Sequence, residues 1–182
     1  MNEYLQYARV ICLSVPVVLL AGCALDPLRP ATDRAWADAT VKREQERTQI
    51  HQAAEAGDIQ KVKSLLADNP ALVNAKDSYG MTPLQYASER DRDKEIVELL
   101  LAHGADVNTR STVDLWTPLH RAACYGCKEV AALLLAHGAD VNAKNDRGKT
   151  PLTLASQEVA GNESLNLARR EVAELLRHHG GN

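Results

Sequence analysis

The sequence contains no phenylalanine, and only five tyrosines and two tryptophans occur among its 182 residues. A core with so few large rings is built from leucine, valine, isoleucine and alanine, which suits small, closely stacked helices. Hydrophobic residues make up 45% of the chain and charged residues 25%, values typical of a globular protein. The length is that of one ordinary domain.

A large excess of either charge is also absent. Twenty-four acidic and 21 basic residues leave a formal net charge of −3, and the basic residues are scattered along the chain. Proteins that hold nucleic acid need a basic patch to neutralise phosphates. We therefore expect no nucleic-acid partner.

The chain also lacks an apolar run long enough to cross a bilayer. Residues 10–25 carry no charge, but these 16 residues fall short of the ~20 that a membrane-spanning helix needs. Pro16 would break a buried helix at its middle. An apolar centre followed by small residues instead predicts an export signal, although Glu3 offsets Arg9 in its charged region.

The end of this segment, LAGC at residues 20–23, resembles the lipobox of bacterial lipoproteins. The resemblance implies that residues 1–22 are a lipoprotein signal peptide and that Cys23 becomes the acylated first residue of the mature protein. Several acyl chains together hold a protein stably on a membrane. Ala24 after the cysteine implies sorting to the outer membrane, with the protein facing the periplasm of the bacterial cell envelope. The alternative is an ordinary signal peptide with an incidental cysteine.

Residues 23–46 read as a lipid-anchored spacer. The stretch is rich in Ala, Glu, Lys and Arg, and Thr32 or Asp33 could cap a helix start. We expect it to be partly helical, with Trp36 on a thin apolar side. A flexible tether is the alternative.

The rest of the chain repeats with a period of about 33 residues. The related motifs TQIH, TPLQ, TPLH and TPLT begin at residues 48, 82, 117 and 150, in steps of 34, 35 and 33 residues. Each is followed by an alanine-rich stretch and a leucine-rich run, and GADVN closes the two middle units.

The motif chemistry predicts where the helices begin and end. Proline after threonine suits a first helical turn, because its missing amide hydrogen has no partner there and the threonine hydroxyl can accept a neighbouring one. Gly104 and Gly138 follow helix formers, where a left-handed glycine ends a helix without strain. Ile96, Leu99 and Leu100 share one helix face.

These units resemble ankyrin repeats over about 135 residues. The resemblance implies an all-α repeat fold, a solenoid of helix-turn-helix units with β-hairpin-like finger loops, over residues 47–182. The repeats are expected at about 47–80, 81–115, 116–148 and 149–182. Ala67 and Arg177 stand where the inner repeats have leucine, as end units need a polar outer face. The last repeat carries an insertion of about eight residues, with a loop near residues 161–162.

Cys124 and Cys127 form a C-x-x-C pair on the turn between the helices of the third repeat. A redox centre with this spacing sits beside a βαβ unit, and the sequence has none. In an oxidising compartment the pair could be a structural disulfide, and two free thiols are the equal alternative. His120 could join them as a zinc ligand, but no fourth ligand is evident.

We expect no bound metal, no cofactor, no small-molecule substrate and no catalytic activity. His120 and His51 occupy a motif position that in ankyrin repeats bonds to the repeat framework. No nucleophile, acid–base pair or phosphate-binding loop stands apart from the repeat pattern.

The resemblance places a protein-binding surface on the fingers and the first helices. Three of the five aromatic residues after the signal segment lie at these positions, and tyrosine, tryptophan and arginine dominate binding energies at interfaces. Chance surface aromatics are the alternative. The predicted partner-binding residues are Tyr79, Met81, Glu89, Arg90, Asp114, Leu115, Trp116, Tyr125, Arg147 and Lys149.

The function predicted from sequence is a membrane-anchored, non-catalytic module of the bacterial envelope that binds another protein, as a scaffold or as an inhibitor. The alternatives are a thiol-redox role of Cys124 and Cys127 and a purely structural envelope protein.

Overall fold

The computed structural model describes the backbone of residues 31–181 and the side chains of residue 42 and residues 44–181. Contacts divide the chain into two units, residues 1–42 and 43–182, and the repeats lie in the second. Within the described backbone there are eight α-helices, two short 3-10 helices and no β-strand. The helices are α1 (Ala31–Ala56), α2 (Ile59–Asp68), α3 (Pro83–Ala87), α4 (Lys94–Ala102), α5 (Pro118–Tyr125), α6 (Lys128–Ala136), α7 (Pro151–Ala155) and α8 (Glu163–His178). The 3-10 helices are Pro70–Asn74 and Asp91–Asp93.

The helix ends follow the sequence motifs. Helices α3, α5 and α7 each begin on the proline of the motif. The Thr117 and Thr150 hydroxyls accept the amide hydrogen three residues later, at 3.4 and 3.3 Å. Gly104 and Gly138 take φ values of 84° and 83°, the left-handed conformation expected after a helix.

The repeats stack as two rows of helices. The first helices of the repeats pack side by side, α3 on α5 and α5 on α7, and the second helices form the other row, α2 on α4, α4 on α6 and α6 on α8. Leucines that are fully buried fill the space between the rows, among them Leu84, Leu100, Leu119, Leu134 and Leu176. Burying each contributes roughly 1.5–3 kcal/mol. The predicted all-α repeat fold is confirmed.

The fourth residue of each of the first three motifs ties its repeat to the next one. Each side chain donates a hydrogen bond to the backbone carbonyl that precedes the next Thr-Pro step. The three bonds run from His51 to Met81 at 3.0 Å, from Gln85 to Trp116 at 2.7 Å and from His120 to Lys149 at 3.1 Å. The framework role expected for the two histidines is thereby confirmed.

His120 is held in one neutral form. It is fully buried, and its Nδ1 accepts the Thr117 amide hydrogen at 3.2 Å, which leaves Nε2 to donate to the Lys149 carbonyl. Burial lowers the pKa of His120, although the Lys149 carbonyl opposes this. The imidazole is therefore a structural hydrogen-bonding group at neutral pH.

Asparagine side chains make a second set of links between repeats. Each donates from Nδ2 to the carbonyl of the glycine that ends the next repeat's second helix. The bonds are Asn74 to Gly104, Asn108 to Gly138 and Asn142 to Gly180, each at 3.1 Å. Because each link satisfies a carbonyl left open at a helix end, stacking and helix capping are coupled.

The insertion in the last repeat lengthens its second helix. Asn162 caps α8 by accepting the Leu165 amide hydrogen at 3.1 Å. The Asn166 amide pairs with both backbone groups of Val159, at 2.8 and 3.1 Å, and so fixes the loop. Gly161 has a φ of 77°, and the loop predicted near residues 161–162 lies there.

Helix α1 runs without a break through the predicted boundary at residues 46–47. The predicted contact of Trp36 lies outside the described side chains, and the predicted signal segment and Cys23 lie outside the described residues. None of the described helices is both long enough and apolar enough to span a bilayer.

Asp93 is a buried carboxylate, 6% exposed, whose Oδ2 has no hydrogen-bond partner. Burial raises its pKa, opposed by Arg92 and Arg90. Above the unfolded pKa of ~3.9, the folded protein therefore holds more protons than the unfolded chain, and stability falls as the pH rises through the folded pKa.

Asp93→Asn is expected to flatten this decline and to raise the free energy of unfolding at pH 7 by about 1 kcal/mol, since a buried neutral amide is less costly than a buried charge. Urea unfolding between pH 4 and pH 7 measures both effects. The exposed Asp146 provides the control, as Asp146→Asn removes one negative charge at the surface and should change the free energy of unfolding at pH 7 by less than about 0.5 kcal/mol. A steeper profile in Asp93→Asn would contradict this account.

Candidate partner-binding face

The first and third fingers are tight turns, and a single side chain holds each of them in shape. In finger 1 (residues 77–81), Asp77 Oδ1 accepts the amide hydrogens of Tyr79 and Met81, both at 2.9 Å. Finger 3 (residues 145–149) repeats this arrangement with Asn145, which accepts the Lys149 amide hydrogen at 2.8 Å. The tips are therefore positioned before any partner arrives.

Finger 2 (residues 111–116) is longer and needs two side chains for the same task. The Ser111 hydroxyl and Asp114 Oδ1 both accept the Trp116 amide hydrogen, at 3.0 and 3.1 Å, and they bond to each other. Leu115 sits in the left-handed region with a φ of 54°, the one such non-glycine in the described backbone. The Asp146 amide donates to the Asp114 carbonyl at 3.1 Å, which joins finger 2 to finger 3.

Two neighbouring fingers present a fingertip patch, which we define as Tyr79, Val113 and Leu115. These side chains are 59%, 67% and 37% exposed. The Thr112 amide and hydroxyl both donate to the Tyr79 carbonyl, at 2.9 and 2.8 Å, and so hold the two fingers together. The apolar side chains are thus exposed on a rigid support.

Arg121 on α5 is the centre of the surface between the fingers and the first helices. Its guanidinium pairs with Glu89 at 3.3 Å and with Asp114 at 3.1 Å, and it lies 4.9 Å from the Trp116 ring centroid. It also contacts the Met81 sulfur at 3.5 Å. A network that links fingers 1 and 2 to α5 and to the turn after α3 fixes the orientation of Trp116.

Burial and charge set the titration of this surface. Burial raises the pKa of the Glu89 carboxyl, and the positive charge of Arg121 opposes that effect. Burial likewise raises the pKa of Tyr125, with a further contribution from Glu89, although Tyr125 is 46% exposed overall. Arg90 Nη1 donates to the Glu55 backbone carbonyl at 2.5 Å.

Most of the residues predicted to contact a partner are accessible. Tyr79, Leu115, Tyr125 and Arg147 are exposed, and five others are half-buried, namely Glu89, Arg90, Asp114, Trp116 and Lys149. Met81 is an exception that corrects the prediction: it is only 7% exposed and packs beneath Arg121. The end of finger 1 packs against α5, which turns its last side chain inward.

The sequence prediction missed Arg121, Tyr86, Asp77 and Glu55. A signal was present, since Tyr86 and Arg121 both follow the four-residue motif directly. Each binds the aspartate of its own finger, Tyr86 to Asp77 at 2.7 Å and Arg121 to Asp114 at 3.1 Å. An aspartate in the finger paired with a polar residue in that position would have indicated the contact.

Cys124 and Cys127 are free thiols in the structure, which is the second of the two alternatives. Cys127 is 3% exposed, and burial, together with nearby Asp91, raises the pKa of its thiol to about 12. Thiol exchange needs a thiolate, so this cysteine is poorly suited to it at neutral pH. Cys124 lies in the last turn of α5 and not on the turn between the helices as predicted, and Arg169 contacts its sulfur at 3.3 Å, which ties the end of α5 to α8.

No group of three or more His, Cys, Asp or Glu side chains among the described residues is arranged to hold a metal ion. His120 already bonds to Thr117 and Lys149, so its ring nitrogens are engaged.

The comparison with family models gives two matches. A model described as ankyrin repeats in three copies covers residues 19–111, just over half of the chain, and one described as ankyrin repeats in many copies covers residues 100–155. No curated protein matches the chain.

Proposed function

The chain belongs to the ankyrin repeat family, and we propose that it binds another protein through its fingers and first helices as a non-catalytic module. Ankyrin repeats suggest a protein–protein interaction module. The proposal adds the surface that makes the contact and the place where the module works.

The observation that carries the proposal is the rigid display of the fingertip patch. Tyr79, Val113 and Leu115 stand in solvent on turns that are hydrogen-bonded internally and to each other. Burying such side chains against a partner releases hydration free energy, and a pre-ordered loop loses little entropy on binding. Leu115 supports this, because a strained backbone at an exposed apolar residue points to a functional constraint.

We further propose that acylated Cys23 anchors the module to a membrane of the bacterial envelope. The module then faces the periplasm and binds a partner protein there, as a scaffold or as an inhibitor. The support is the LAGC sequence at residues 20–23 after an uncharged stretch. Cys23→Ala should move the protein from the membrane fraction to the soluble fraction. Retention of that variant with membranes would show that another feature holds the protein there.

The binding surface is tested by site-specific photo-crosslinking in cells. A photoreactive phenylalanine at residue 79 or 125 replaces one tyrosine ring with a similar ring, and the same group at Lys61, on the exposed side of α2, is the control. A discrete product is expected from residues 79 and 125 only, and Trp116→Ala should reduce it. Equal labelling from all three positions, or labelling from none, would contradict the proposed function and favour a purely structural protein.

Leu115→Gly separates binding from stability. Removing the side chain relieves a left-handed leucine, which costs roughly 1–2 kcal/mol, while glycine's greater freedom in the unfolded chain offsets part of the gain. We expect the free energy of unfolding to rise by up to about 1 kcal/mol, measured in urea, while the crosslinked product falls. Loss of both stability and product would mean that Leu115 has only a structural role.

A further inference from the structure

Three carboxylates converge beside the fingertip patch, on the surface of the first two repeats. Glu55 lies at the end of α1, Asp77 in finger 1 and Glu89 just after α3. Asp77 Oδ2 accepts the Tyr86 hydroxyl at 2.7 Å. Burial raises the pKa of Tyr86, as do the bond to Asp77 and the charges of Asp77, Glu55 and Glu89. Asp77 therefore binds this hydroxyl group directly, and Glu55 and Glu89 lie near enough to act on it electrostatically.

The cations of this surface, Arg121 and Arg90, neutralise it only in part. Arg121 is shared between Glu89 and Asp114, one guanidinium for two carboxylates. Arg90 donates to a backbone carbonyl of Glu55 and not to its side chain. Within the described side chains, neither Glu55 nor Asp77 forms an ion pair. The surface keeps an excess of negative charge at neutral pH.

Exposed aromatic rings border these carboxylates. Tyr79 belongs to finger 1, and Tyr125 is the last residue of α5. Burial is the main cause that raises the pKa of Tyr125, and the negative charge of nearby Glu89 raises it further. A cation over a tyrosine or tryptophan face gains about 0.5–1 kcal/mol at exposed sites. The protein already shows this arrangement internally, because Arg121 lies over Trp116 between two carboxylates.

Building on the proposed function, we propose that the acidic cradle of Glu55, Asp77, Tyr86, Glu89 and Tyr125 receives a basic segment of the partner protein. One arginine or lysine enters between the carboxylates, and its neighbours lie over Tyr79 and Tyr125. The occupant is a protein segment, because the cradle extends over parts of three successive repeats and an extended chain can span them. Charge complementarity of this kind sets specificity and association rate more than affinity.

The cradle offers a charge-neutralising pair that keeps the hydrogen bonds within finger 1, while the Tyr86 hydroxyl must turn to accept from the new amide nitrogen. Asp77→Asn should keep finger 1 intact, because Asn145 accepts the same two amide hydrogens at the same place in finger 3. Glu55→Gln removes a charge from an exposed side chain. The control pair is Glu98→Gln with Glu174→Gln, which changes the net charge equally on the exposed sides of α4 and α8.

The probes are three soluble peptides of equal length, built on the same glycine–serine–leucine sequence with three arginines, three glutamines or three glutamates. Binding to the purified full-length chain is followed by NMR titration at low and at moderate salt. The arginine peptide should bind about tenfold more tightly than the glutamine peptide, which corresponds to ~1.4 kcal/mol. The advantage should shrink as salt screens it.

The Glu55→Gln, Asp77→Asn pair should remove most of that advantage, and the control pair should keep it. Equal binding of the three peptides, tighter binding of the glutamate peptide, no binding of any peptide, or equal effects of the two variant pairs would overturn the inference. The crosslinking test of the proposed function changes no charge at the test positions, residues 79 and 125. A discrete crosslinked partner whose labelled segment is neutral or acidic would therefore contradict the basic-segment inference but would still support the proposed function.

Discussion

Gly126→Ala is expected to lower the free energy of unfolding by about 3 kcal/mol. Gly126 has a φ of 72°, where a side chain costs roughly 1–2 kcal/mol. A Cβ there would lie 2.8 Å from the Ala168 Cβ and 3.2 Å from backbone atoms of Ala168 and Arg169. Overpacking of this kind adds about 1–3 kcal/mol, because α8 must shift to relieve it.

Gly104→Ala is the matched control for that substitution, measured by urea unfolding alongside it. Gly104 has a φ of 84°, but a Cβ added there would meet no neighbouring atom within 4 Å. Gly104→Ala should therefore lower the free energy of unfolding only by the backbone cost of the left-handed conformation, about 1 kcal/mol. Equal losses in the two variants would show that α8 does not press on the turn at Gly126.

Arg169→Met is expected to lower stability by about 2 kcal/mol and to loosen the last repeat first. Arg169 is 8% exposed, and it donates to the Cys124 carbonyl at 2.5 Å and to the Gln157 carbonyl at 3.0 Å. The Cys124 carbonyl lies in the last turn of α5, where a positive charge is favourable. Methionine fills similar space but leaves both carbonyls without this donor.

Hydrogen exchange of the Arg169→Met variant shows which repeat loosens first. Amides of α7 and α8 should lose protection from exchange before those of α3 and α4. The neighbouring Arg170 supplies the control. It is paired with Glu158 at 2.7 Å, but both side chains are largely exposed, so Arg170→Met should leave the free energy of unfolding nearly unchanged. If Arg170→Met loosened the last repeat as much as Arg169→Met, the buried contact would not be what holds it.

The sequence predicted the repeat framework because its signals are local. Threonine, proline and glycine act through backbone geometry within a few residues of themselves, so the helix starts at residues 83, 118 and 151 could be read directly. The framework role of His51 and His120 came from their place in a repeated motif. The inward turn of Met81 had no such signal, because it depends on how the finger packs against α5.

Sequence alone determined the repeat period, the all-helical class and the positions of the fingers, since these follow from short-range sterics and from the spacing of apolar residues. Only the tertiary structure decided which charges meet. Arg121 joins Glu89, 32 residues away, and Arg169 reaches Cys124, 45 residues away. Contacts at such separations depend on the stacking of whole repeats, and no pattern along the chain encodes them residue by residue.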